Sequence, residues 1–132
     1  MKLNEKSKLR ELGIAAVYLF GSKAIGTSTP MSDMDIGVVL KEPKTVKDTR
    51  VLYTALYDVF VERYPARELD IVFLQTAPIP LQYHAIKEGR ILYEEDPRFT
   101  ADYVANVING YLDFKPVLEY FDTISSARYA HA

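Results

Sequence analysis

A chain of 132 residues is long enough for one domain with a real core and too short for two ordinary ones. Its formal charge of −2 leaves no basic field to hold duplex nucleic acid, and 48% apolar residues give the composition of a soluble globular protein. Cysteine is absent, which excludes disulfides and thiolate metal sites and suits a reducing, cytoplasmic setting.

The first segment, "MKLNEKSKLRELG", sets Leu3, Leu9 and Leu12 among charges and reads as a short amphipathic helix ending near Gly13. It lacks the continuous apolar stretch of a signal peptide, and no later run approaches the length of a membrane span. "IAAVYLF" (14–20) is a compact apolar run that suits a buried strand and stops at Gly21-Ser22. "DIGVVL" (35–40) is a second buried strand, closed by Pro43. From Thr45 to about Tyr64, Val46, Val51, Leu52, Leu56, Val59 and Phe60 recur at helical spacing, and Pro65 ends that helix.

"ELDIVFL" (68–74) is a third strand, followed by Pro78 and Pro80. "LQYHAIKEG" (81–89) reads as a short helix with Gly89 as its stop, and "RILYE" (90–94) as an edge strand. A last helix runs from Pro97 to about Phe114 with Phe99, Tyr103, Val107, Ile108, Tyr111 and Leu112 as its apolar stripe. Pro116 is expected to kink or restart it. Helices alternating with strands argue an α/β (α+β) layer with a central sheet, and doubly buried strands explain the weak polar alternation. We expect a core unit over residues 1–96 and a helical segment over 97–132 that packs on it and offers a surface to a partner.

Two acids stand at the mouth of the second strand. Asp33 and Asp35 are two apart, so on an extended chain they project to one side. Asp70 lies in the third strand between apolar residues, and joins them if the two strands are neighbours. At about 4 Å and an effective dielectric near 20, each like-charged pair costs on the order of 4 kcal/mol. Such a cluster binds protons or recruits a cation. Oxygen ligands without His or Cys favour Mg²⁺ or Mn²⁺, and carboxylates holding two such ions make a phosphoryl or nucleotidyl transfer site. The Gly21-Ser22 turn fits that chemistry: a strand-to-helix turn offers amides to phosphate, Gly21 permits close approach, the Ser22 hydroxyl can donate, and Lys23 can add charge. Each piece alone has a plainer reading as a turn, a helix stop or the wet end of a strand. The combination is far more specific.

Gly21-Ser22, a ten-residue spacer and Asp33-Met34-Asp35 resemble the signature of the DNA polymerase beta-like nucleotidyltransferase superfamily. "FGSKAIGTSTPMSDMDIGVVL" and "AIKEGRILYEE" resemble segments of its minimal nucleotidyltransferases, the MNT group, and "ELDIVFL" matches the group's third carboxylate at Asp70. The likeness runs from about residue 14 to 96. Many relatives carry Arg where this chain has Lys23 and Ile25, so one positive charge is kept and one is lost. The resemblance implies a polymerase-beta-like palm, a small mixed sheet with helices packed on it. It implies Asp33 and Asp35 as ligands of two Mg²⁺ ions and ATP as substrate. It gives Asp70 to the catalytic ion and to activation of the attacking hydroxyl. It further implies an antitoxin that transfers AMP to a tyrosine hydroxyl of a HEPN-domain ribonuclease toxin.

The remaining chain supports a partner. After a palm of about 95 residues only a helical tail remains, too little to grip a primer, a tRNA or an antibiotic. Tyr103 and Tyr111 read as core stripe, whereas Tyr120, Phe121 and Tyr129 lie where little chain remains to cover them. His84 reads as a surface or packing residue, and Lys87 and Arg90 as a solvated helix end that can also meet phosphate. Arg128 and His131 do not form the toxin's own ribonuclease motif. Two alternatives stand beside the first reading: transfer to a small hydroxyl compound such as an aminoglycoside, and a binding-only antitoxin with a silent site. The intact set Gly21, Ser22, Asp33, Asp35 and Asp70 argues against the silent site.

Overall fold

A computed structural model describes residues 1–21, 34–64 and 69–130. Four strands, β1 (Ile14–Phe20), β2 (Met34–Leu40), β3 (Leu69–Phe73) and β4 (Arg90–Glu94), form one mixed sheet in the order β3-β2-β1-β4. β1 runs antiparallel to β2 and β4, and β2 runs parallel to β3. The C-terminal end of β1 and the N-terminal ends of the other three therefore share one edge of the sheet.

Helices cover both faces, which is why β1 and β2 read as continuous apolar runs. On one face, α1 (Leu3–Glu11) and α2 (Thr49–Phe60) bring Leu9, Leu52, Leu56 and Phe60 onto Val17, Ile36, Val38 and Ile71. On the other, α3 (Ile79–Glu88) and α4 (Pro97–Ala130) bring Ala85, Tyr103 and Val107 onto Ala16, Tyr18, Phe20 and Val39. Phe60 and Leu56 are fully buried, so truncating Phe60 to Ala would cost about 3–5 kcal/mol. Leu3, expected on the apolar side of α1, is exposed. Among the described residues no helix is long and apolar enough to cross a membrane.

Several boundaries move, each for a local reason. α2 begins at Thr49 rather than Thr45, because Pro43–Thr45 forms a 3-10 turn, Val46 is extended, and the Asp48 carboxylate accepts from the Arg50 amide at 2.9 Å as the cap. α3 takes Pro80 into its first turn, where a missing N–H costs nothing. α4 runs through Pro116 as one helix of 34 residues, on the order of 50 Å long. Its packed stripe stops early: Tyr103 and Val107 are buried, whereas Ile108 and Leu112 face outward. Gln75 extends the β3 edge with its side chain, accepting from the Leu40 amide at 2.8 Å and donating to the Leu40 carbonyl at 2.7 Å.

Candidate active site

The site is built where β1 ends. Phe20 is the Cα partner of Asp35 across the antiparallel pair, and Asp35 is the Cα partner of Asp70 across the parallel pair. Residues paired this way present side chains to one face of a sheet. Phe20 packs in the cluster under α3 and α4, so Asp35 and Asp70 belong to that face. Neighbouring strands lie about 4.8 Å apart, which sets the spacing of the two carboxylate-bearing backbones. Asp35 is 4% exposed and Asp70 is open to solvent, one acid inside the rim and one on it.

Two facing residues hold this rim tightly. Gly37, two residues inside Asp35, has no room for a side chain: a Cβ there would stand 2.8 Å from Leu74 Cδ1 and 2.9 Å from Phe20 Cε1. Phe20 therefore packs against Gly37, beside its cross-strand partner Asp35. Gly21 differs, since among the described residues a Cβ there would meet nothing within 4 Å.

α3 stands over the same end. His84 Nε2 lies 3.2 Å from the Gly21 carbonyl oxygen, and its ring meets Phe20 edge-on with centroids 6.2 Å apart. A reading of the chain as a string missed this contact, because 63 residues separate the pair and no spacing rule connects them. Lys87 lies with its ammonium 5.8 Å over the Tyr83 ring, and Tyr83 stacks on Tyr111 of α4 at 3.9 Å. Arg90 is the register partner of Leu19, which packs against the α1–α2 cluster. Arg90 therefore belongs to the face opposite the acids.

Ser22, Lys23 and Asp33 lie outside the described residues. Among the described residues, no group of three His, Cys, Asp or Glu side chains gathers as a metal site. The two described acids still fit a hard divalent cation: they are oxygen donors, adjacent and on one face. A cleft of about 420 Å³ between α3 and α4, lined by Gln75, Gln82 and Asn106 among others, sits toward the opposite edge of the sheet. Gln75 pairs with Leu40 at that far edge, so this cleft is not the place of the chemistry.

The fold is shared by solved structures of other proteins. Solved structures with the same fold include a toxin–antitoxin with AMP-PNP (TM-score 0.60, 23% identity, 93% of this chain and 99% of that chain covered). A second is a tri-AMPylated Shewanella oneidensis HEPN toxin in complex with MNT antitoxin (TM-score 0.61, 17% identity, 95% and 99% covered). A third is the toxin–antitoxin MntA-HepT (TM-score 0.61, 17% identity, 94% and 99% covered). No curated protein matches the chain. The family described as Polymerase beta, Nucleotidyltransferase matches residues 2–98, which takes in all four strands and the candidate site. With the strand order, the rim acids and that match in hand, the chain belongs to the polymerase beta nucleotidyltransferase family.

Proposed function

We propose that the chain is an MNT antitoxin that transfers AMP from ATP to a tyrosine hydroxyl of a HEPN-domain ribonuclease toxin. The observation that carries this reading is the direct pairing of Asp35 with Asp70 on one face, next to the Gly21 end of β1. It is supported by likeness to a toxin–antitoxin structure with AMP-PNP and to one whose HEPN toxin is tri-AMPylated.

In this reading the tyrosine oxygen attacks the α-phosphorus of ATP. An O–P bond forms, the bond to the β-phosphate bridge breaks, and pyrophosphate leaves. Asp70, on the open side of the rim, takes the hydroxyl proton. Asp33 and Asp35, with Asp70 at the catalytic ion, would hold Mg²⁺, which when bound would neutralise charge on the triphosphate and polarise the attacking hydroxyl. Gly21 gives the phosphate tail its approach, with Ser22 donating to a phosphate oxygen and Lys23 adding charge. The unit over residues 1–96 carries the chemistry, and 97–132 presents the surface that meets the toxin.

The test is transfer of label from α-labelled ATP with Mg²⁺ to the product of the neighbouring gene, with an aminoglycoside in a parallel tube. Label on the partner tyrosine, lost in Asp35→Asn, supports the reading. Label on the aminoglycoside alone replaces it with small-molecule transfer. No label, with the toxin still neutralised by wild type and Asp35→Asn alike, replaces it with binding alone.

A further inference from the structure

His84 touches both parts of the site at once. A carbonyl oxygen only accepts, so the 3.2 Å contact to Gly21 requires the proton on Nε2. The same ring rests edge-on against Phe20, the cross-strand partner of Asp35. Gly21 follows the last registered pair of β1 with β2, Phe20 and Asp35. A glycine there has the widest conformational range of any residue, so a restraint on its carbonyl matters more than at other positions.

α3 is a firm post for that restraint. Ala85 is fully buried against the sheet. Gln82 is buried, donates to the Ala77 carbonyl at 2.8 Å and accepts from the Tyr103 hydroxyl at 2.9 Å. Tyr83 is clamped by its stack on Tyr111. His84 sits between these anchored neighbours and is half-buried, so few other rotamers are open to it.

We propose that His84 is a positioning residue of the nucleotide seat: by donating to the Gly21 carbonyl while leaning on Phe20, it holds the Gly21 end of β1 beside Asp35. The proposal rests on the reading of the Gly21 turn as that seat. The hydrogen bond fixes the direction of the Gly21 carbonyl at the end of β1. Loss of the donor would free that strand end and weaken ATP binding without unfolding the sheet.

The experiment compares Mg-ATP affinity by calorimetry, and thermal midpoint, for wild type, His84→Phe and His84→Gln. His84→Phe keeps a ring on Phe20 and removes the donor. His84→Gln returns an amide N–H. We expect His84→Phe to bind Mg-ATP roughly tenfold more weakly, the scale of one lost hydrogen bond, and His84→Gln to recover most of it. Both variants should melt alike. Unchanged affinity in His84→Phe overturns the proposal alone, as does equal weakening in both variants with a fallen midpoint, which would mark His84 as packing. Wild type that fails to bind Mg-ATP overturns the nucleotide seat and the proposal together. Should His84→Phe not fold, the imidazole nitrogen resonances of the wild-type protein decide: the neutral ring protonated at Nε2 supports the assignment, and protonated at Nδ1 it ends it.

Discussion

Asp35 of β2 and Asp70 of β3 are direct partners across a parallel strand pair, the first nearly closed to solvent and the second open. That asymmetry predicts different costs for the two acids. Asp70→Asn alters an exposed position and Asp35→Asn a buried one, so the second should change stability more than the first. AMP transfer should nonetheless fall on the order of 10³-fold in either Asp35→Asn or Asp70→Asn, the rate equivalent of about 4 kcal/mol of lost charge stabilisation. Wild type should gain about 2.7 kcal/mol when Mg-ATP is present at a hundred times its dissociation constant, and Asp35→Asn should gain nothing. Transfer assays and thermal melts with and without nucleotide check this. An Asp70→Asn protein that transfers at the wild-type rate would remove Asp70 from the reaction.

Gly37 and Gly89 offer a contrast in what a single methyl meets. At Gly37 the added Cβ would strike side chains, Leu74 and Phe20, which can shift by a few tenths of an ångström. At Gly89 it would stand 2.2 Å from the Ala85 backbone carbonyl, which α3 holds in place. Gly37→Ala is therefore expected to cost about 1–3 kcal/mol by overpacking, and Gly89→Ala more. Because Phe20 lies between Gly37 and His84, Gly37→Ala should also weaken Mg-ATP binding. Denaturant midpoints rank the two variants. A Gly89→Ala chain as stable as Gly37→Ala would mean that the α3–β4 junction relaxes, contrary to its close packing.

What could be read from the chain depended on the range of the interaction. The runs at 14–20 and 35–40 announced strands because burial on both faces leaves unbroken apolar stretches, and 68–74 reads as a third, which the structure shows over Leu69–Phe73. The adjacency of Asp35 and Asp70 followed from those strands being neighbours in the sheet. Pro80 misled, because a proline tolerated in a helix's first turn looks like a proline that precludes one. Pro116 reads as a kink or restart of α4, yet it lies deep inside one helix that runs through it, and Leu112 looked like core because its spacing continues the stripe of Tyr103 and Val107 past the point where the sheet ends. The contact from His84 to Gly21 was beyond reach, since it depends on how α3 lies over the sheet rather than on any local pattern.

Buried phenols set an alkaline limit on stability. Burial raises Tyr103 well above its ordinary value of 10.0, with Tyr18 adding to the effect. Tyr18 is raised by burial and then by Glu94, and Tyr93 by burial and then by Glu95, with Arg10 opposing. A folded-state value above the unfolded one means the unfolded chain releases its protons first. Stability from these groups is complete below pH 10.0 and is lost as pH rises above it. The melting temperature should fall beyond that point, and absorbance titration of the native protein should show fewer of its 10 tyrosines ionising than in denaturant. Identical native and denatured titration curves would contradict the burial of these three hydroxyls.

The far half of α4 predicts a separation of folding from binding. Tyr120 is 63% exposed and Phe121 59%, and Val117 and Ile124 also face solvent, although all four are apolar. Phe114, Val117, Phe121 and Ile124 recur at intervals of three and four residues, so they share one stripe of the helix. Side chains left this exposed contribute little to the chain's stability, and an apolar stripe left in water marks an interaction surface. Deleting residues 115–132 should therefore leave the thermal midpoint within a few degrees, since surface changes are usually worth about 0.5 kcal/mol or less. The same deletion should abolish co-elution with the HEPN toxin proposed as its partner while Mg-ATP affinity holds, because Gly21, Asp35 and Asp70 lie at the end of the sheet where β1 stops. A truncated chain that still co-elutes would place the toxin contact elsewhere on the molecule, and a truncated chain that no longer melts cooperatively would make the tail part of the fold.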